Sequence, residues 1–240
     1  MERLVLGGVD LSEEYEVVDV RRPVPSPVPN LVSVPGMDGY AFMGADTMPQ
    51  PIKFTLVSKV MGYDERRREA RQIAAVLNTA GPVEVAFSND DGLYYVAVVS
   101  EPPDYREFVT FGVMTVTMQP LHSAMYGAER SVTVPSGGSV DFVVGGSYPT
   151  SPIVTATAVR GTSSLWGLIL DELDFVHVAT GSSSGRDVVL DCGQRTLTIQ
   201  GSAAVPTLDS DWLRLSPGEH SLRMDNGTGA ATVTWRERWL

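Results

Sequence analysis

Along much of the chain, apolar and polar positions alternate strictly, the period of a strand with one buried face. Ile52, Phe54 and Leu56 alternate with Lys53 and Thr55, and Val83, Val85 and Phe87 alternate with Glu84 and Ala86. Each run predicts a half-buried strand. The second meets Asn89-Asp90-Asp91-Gly92 and then a β-rich run over 93–99. Asp-Gly suits the positive φ of a tight turn, so a hairpin is expected there. The longest β-like run covers 108–118, and Pro120, with no amide proton for a ladder, is expected to end it. One segment breaks the rhythm: Ala70, Ile73, Ala74 and Leu77 fall at i, i+3, i+4 and i+7. That spacing predicts a single amphipathic helix over 64–78, capped by Asp64 and stopped by Asn78 with Gly81-Pro82. Arg66, Arg67, Arg68 and Arg71 are expected on its polar side, as a solvated face or as partners for carboxylates of a neighbouring subunit.

Beyond Arg130 bulky residues thin out around Pro135-Ser136-Gly137-Gly138-Ser139. This places a first domain at 1–130, a linker at 131–138 and a second domain at 139–240. In the second domain short β-runs recur at 153–159, 166–170, 175–178, 188–190, 197–199, 212–215, 221–224 and 232–235, with turn signals between them. Regularly spaced short strands predict a β-sandwich or jelly roll. The expected fold class is mainly β, with one helix in the first domain.

Composition narrows the function. The 240 residues carry 18 basic and 29 acidic groups, a net charge of −11. Tight binding to a duplex works by basic groups displacing counterions, so this chain is a poor electrostatic binder of DNA and of anionic membranes. Cys192 is the sole cysteine, which excludes an intrachain disulfide and a cysteine-based zinc site. The first twenty residues are interrupted by Glu2, Asp10, Glu13 and Glu14 and do not read as a secretory signal, so folding in the cytoplasm is expected.

Nucleotide-binding and zinc-hydrolase signatures are absent: the chain has no GxxxxGK[ST] and no HExxH. His122, His177 and His220 are dispersed, and His177 is expected to face solvent from a strand. Asp171, Glu172 and Asp174 carry oxygens suited to calcium but read as a polar turn, and Asn226-Gly227-Thr228 reads likewise. Trp166, Trp212, Trp235 and Trp239 are expected in core packing more than in a sugar-stacking platform. Residue chemistry alone therefore assigns no catalytic, cofactor or metal site.

The order of local features resembles the distal tail protein (Dit) family of siphophages. GGVDLSEEYEVVDV, from Gly7, is similar to the family's opening strand, turn and strand. VPGMDGY, from Val34, is similar to its Pro-Gly-x-Asp-Gly signature. Gly36 and Gly39 there would take backbone angles closed to other residues, and Asp38 would bond turn amides; Met37 stands where many relatives carry a basic residue. FVTFGVMTVTMQPLHSAMYG, from Phe108, resembles the family's strand followed by a proline and a Tyr-Gly pair, here Pro120, Tyr126 and Gly127, with Gln119 replacing the more frequent acidic residue. The ending Leu215-Ser216-Pro217-Gly218-Glu219-His220, with its alternating strands and terminal Trp239-Leu240, is similar to the family's last hairpin.

The resemblance implies a ring-forming first domain and a galectin-like β-sandwich second. It further implies a structural, non-enzymatic virion component at the tail tip, made in the host cytoplasm and lacking a cofactor. Its partners would be five further copies in a hexamer, the tail tube protein above, the tail-tip hub below and a receptor-binding protein. DNA would pass through the ring without sequence-specific binding. The long run at 108–118 is expected to offer an edge paired between subunits, and the channel face to carry few arginines. A carbohydrate-binding adhesion module is the alternative, and a hydrolase built on Asp171 or Asp174 is a third reading.

Overall fold

The computed structural model describes residues 3–60, 62–78, 81–108, 111–162, 164–181 and 185–240, with residue 107 through its backbone only. The chain divides into two units, Met1–Tyr126 and Gly127–Trp239. The first contains β1 (Leu4–Leu6), β2 (Val9–Asp10), β3 (Tyr15–Arg21), β4 (Pro27–Ser33), β5 (Tyr40–Thr47), β6 (Ile52–Ser58), α1 (Tyr63–Leu77), β7 (Val83–Phe87), β8 (Tyr94–Val99), β9 (Asp104–Glu107) and β10 (Gly112–Pro120).

Strict alternation sets this unit's layers. β6 and β10 pair antiparallel from Met118↔Ile52 to Val113↔Val57. Ile52, Phe54, Leu56, Met114, Val116 and Met118 all point into one core, where they meet Leu4, Leu6, Val85 and Phe87. Phe54 and Phe87 meet edge to face at 6.1 Å. Among the described residues β3 pairs only β6, with its register shifting between Val17 and Asp19, and β9 pairs only β10. Within the larger sheet the run β3-β6-β10-β9 therefore ends, among the described residues, in a singly paired strand on each side.

The expected 108–118 edge is corrected here. The strand runs Gly112–Pro120, with β6 on one flank and β9 and β8 on the other, so it lies inside the sheet. Residues 109 and 110 of that run lie outside the described residues. Pro120 sits at the strand's last position, opposite Ala97, as its missing amide proton requires.

The helix starts one residue earlier than expected, at Tyr63. Its N-cap is Gly62 and not Asp64, which falls with Glu65 in the first turn, where carboxylates suit the helix dipole. Its buried residues are Arg66, Glu69, Ile73 and Leu77, whereas Ala74 is exposed. Arg66 is thus removed from the expected solvated face: it is 2% exposed.

The second unit holds most of β11 (Met125–Val134), then β12 (Ser139–Val144), β13 (Ile153–Gly161), β14 (Leu165–Leu170), β15 (Asp174–Ala179), β16 (Arg186–Asp191), β17 (Thr196–Ile199), β18 (Ser202–Ala204), β19 (Gly218–Asp225) and β20 (Gly227–Trp239). One layer runs β18-β17-β16-β13-β20-β11 and the other β12-β19-β14-β15. Their facing side chains, among them Val154, Leu190, Val233, Trp166, Leu168, Val176 and Leu222, share one core.

Residues 131–138, expected as a linker, are the end of β11 and a turn in which the Gly138 amide donates to the Pro135 carbonyl at 3.0 Å. Sparse bulky side chains marked a turn that carries the chain from β11 in one layer to β12 in the other. The expected strand over 212–215 is irregular, with Leu215 forming an isolated bridge to Thr150 outside the named strands.

Candidate functional site

Three features of the first unit stand out chemically. The first is the hairpin β4–β5. Between Pro27 and Thr47 no residue is buried, and Leu31, Val32, Met37, Tyr40, Phe42 and Met43 are each about half exposed or more. Isolated two-stranded hairpins are marginal in water, and among the described residues the apolar groups on both faces of this one stay exposed. Its base is held: Ser123 Oγ donates to the Thr47 carbonyl at 2.9 Å and Gln119 Nε2 to the Pro49 carbonyl at 2.9 Å. Alternation alone did not reveal this arm. The available signal was an apolar residue on both faces of strands interrupted by Pro27, Pro29 and Pro35.

The residues singled out from the sequence fall in two places. Gly36 (φ +83°) and Gly39 (φ +97°) form the hairpin's turn, closed by the Met37 amide donating to the Val34 carbonyl at 3.1 Å. Asp38 is exposed and makes none of the expected turn bonds. Pro120, Tyr126 and Gly127 lie at the passage from β10 to β11. Tyr126 pairs Tyr94 across the ladder and stacks on its ring at 5.9 Å. The two places connect through Gln119 and Ser123 at the arm's base.

The second feature is the outward face of β3-β6-β10-β9. Register sets Asp19, Thr55, Thr115 and Asp104 side by side, and Arg21, Lys53 and Thr117 on the next rung. Arg21 lies 3.3 Å from Asp19 and Arg106 3.0 Å from Asp104. Thr117 Oγ1 donates to Glu101 at 3.1 Å. The surface is hydroxyl-rich, with each arginine beside a carboxylate.

The third feature is a polar seam under α1. Ser58 Oγ donates to Glu69 Oε2 at 2.5 Å, with both residues buried. Burial first, then the charges of Glu69 and Glu14, push the Tyr15 hydroxyl's pKa upward. Of the other helical arginines, Arg67 stacks over the Tyr63 ring at 4.6 Å, and Arg68 and Arg71 are exposed.

In the second unit the acidic turn is engaged by protein groups. Asp171 accepts from the Ser221 amide at 2.8 Å and lies 2.7 Å from His220 Nδ1, while Glu172 accepts from Arg223 at 3.2 and 3.3 Å. Burial raises the Asp171 pKa, but the Ser221 amide and His220 outweigh it and hold it below 3.8. His177 is not solvent-facing as expected. Its side chain is 14% exposed, with Nε2 2.7 Å from Asp225. Trp166 and Trp235 are core residues.

Two family models match: "Phage tail protein RIFT-related domain" over residues 11–119 and "Siphovirus-type tail component, C-terminal domain" over residues 145–239. The distal tail protein of Bacillus phage SPP1 is 22% identical over 244 residues, covering 99% of this chain and 95% of that one. Among solved structures, the SPP1 Dit crystal structure, described as a paradigm of the hub adsorption apparatus in phages infecting Gram-positive bacteria, superimposes with TM-score 0.80 at 18% identity over 100% of both chains. A chain of the phage p2 baseplate in its activated, calcium-bound conformation gives TM-score 0.54 at 8% identity, over 99% of this chain and 98% of that one.

Proposed function

This chain belongs to the distal tail protein family of siphophages, and from that premise we propose that it is a structural hub of the virion tail tip. In this reading six copies close into a ring that joins the tail tube to the tail-tip hub and lets DNA through. The role is scaffolding, not catalysis.

The observation that carries the reading is the arm Pro27–Thr47, whose apolar residues have no burial within one chain. A second copy supplies the missing surface. A head-to-tail contact repeated around an axis closes without leaving an arm uncovered. The sheet β3-β6-β10-β9 suits closure, because it presents one open edge at β3 and another at β9. Six such sheets joined edge to edge make a barrel of about 24 strands. With strands about 4.8 Å apart and tilted by about 40°, its diameter is about 50 Å, which leaves a bore of about 40 Å after side chains. That is wide enough for a duplex. Its lining would be the hydroxyl-rich face, where Arg21 and Arg106 sit beside Asp19 and Asp104. Compensated charge releases few counterions and holds DNA weakly.

Native mass spectrometry tests this: the wild-type chain is expected at about 155 kDa, six times 25.9 kDa. A variant with 27–47 replaced by a two-residue turn is expected to stay monomeric while keeping its circular dichroism. A two-fold dimer, or hexamers formed without the arm, would overturn the reading.

A further inference from the structure

The helix polarises the two ends of the ring-closing sheet. At 3.6 residues per turn, the buried line through Arg66, Ile73 and Leu77 divides the exposed surface of α1 into two flanks. One carries Arg67, Arg71 and Ala74, and it borders a groove of about 640 Å³ between α1 and the β8–β9 passage, lined by Val99, Pro102, Pro103 and Tyr105. The other carries Glu65, Gln72 and Val76. It borders the turn before β3, where Glu13 and Glu14 are exposed beside Gln72 and Val76. Arg71 and Gln72 are neighbours in sequence, so the Arg71 side of the groove, whose far wall carries Glu101, and the acidic turn lie at the same height on opposite sides of one helix. Among the described residues, Arg71, Glu13 and Glu14 have no ion-pair partner in their own chain.

We propose that the Arg67–Arg71 flank of one copy receives the Glu13–Glu14–Glu65 flank of the next, with the β9 edge beside the neighbour's β3 edge. The inference rests on the ring reading and specifies its joint. The occupant is a second copy because the acidic flank lies at the far end of the same sheet. Repeating the contact therefore carries the chain around an axis and leaves neither flank open. The groove takes the apolar part of the neighbour, with Val9 and Val18 exposed at 46% and 52% on that side. The two glutamates meet guanidinium groups that fork onto carboxylates. In a chain of net charge −11, this basic strip also decides polarity, since an acidic flank meeting another acidic flank is repelled.

Two charge-reversed variants test it in the full-length chain: Arg67→Glu with Arg71→Glu, and Glu13→Arg with Glu14→Arg. By native mass spectrometry, each alone is expected to lose hexamer at least tenfold relative to wild type at equal concentration. Their equimolar mixture is expected to recover it, because alternating copies restore opposite charges at every joint. Recovery also shows that both variants are folded. If either variant assembles like wild type, or the mixture stays monomeric, the joint is elsewhere while a wild-type hexamer still upholds the ring. A wild-type chain that never forms hexamers overturns both.

Discussion

Replacing Glu69 by leucine isolates the buried polar seam under α1. Glu69 is 7% exposed and Arg66 2%, three residues apart on one helix face, with Cβ atoms about 5–6 Å from each other. Ser58 Oγ donates to the Glu69 carboxylate at 2.5 Å. Removing the carboxylate deprives Arg66 of a neighbouring opposite charge and leaves the Ser58 hydroxyl buried without its acceptor. Breaking a buried charged set by deleting one member costs about 3–5 kcal/mol, whereas replacing both members by apolar residues of similar volume is nearly neutral. Against a domain stability of about 5–15 kcal/mol, Glu69→Leu should cost a large share, and Arg66→Met with Glu69→Leu should return most of it. Urea unfolding followed by ellipticity at 222 nm suits the measurement. The helix belongs to the first unit, and all four tryptophans (Trp166, Trp212, Trp235 and Trp239) belong to the second, so their emission reports separately. The reasoning is refuted if Glu69→Leu stays within about 0.5 kcal/mol of wild type, the range of innocuous surface changes, or if the double variant is no more stable than the single.

Other outcomes follow from the second unit. A Cβ on Gly167 would stand 2.3 Å from His177 Cδ2 and 2.4 Å from the Val176 carbonyl oxygen. Because backbone cannot yield like a flexible side chain, Gly167→Ala should destabilise by about 3 kcal/mol, at the upper end of overpacking costs, and an unchanged melting temperature would contradict that. Asp171, with its pKa held below 3.8, gives stability that is complete at neutral pH and lost as pH falls through its folded value. Asp171→Asn should therefore cost about 1–2 kcal/mol at pH 7, with the gap to wild type closing below pH 3.8, as chemical denaturation across pH would reveal; a gap independent of pH speaks against the linkage. Burial pushes the Cys192 thiol up to about 12, so iodoacetamide at pH 8 should leave the native chain unmodified and label it in denaturant; rapid native labelling would show the thiolate to be accessible.

Alternation made the strands of both units legible because each has one wet and one dry face. β6, β7 and β10 follow the apolar letters directly. The helix was legible as an element but not in its burial. A stripe drawn through alanines passed over Arg66 and Glu69, since a charged letter reads as exposed unless its partner across space is known. The arm failed for the opposite reason. Its valines, tyrosine and phenylalanine are exposed, and in the proposed ring a second copy covers them, which one chain's pattern does not encode. The boundary near 131–138 misled because glycine and serine serve a tight turn as well as a linker, and only the pairing of β11 with β20 tells them apart.

The hairpin β4–β5 also governs what can be exchanged between related tails. In the proposed ring, the fit that constrains its residues is written in a neighbouring copy's surface. A chimaera that transplants the first unit from one phage to another should assemble when every subunit carries the same donor's arm. Mixed with host subunits, it should poison the assembly even though each protomer is soundly folded, because the grip and the surface it grips are inherited as a pair.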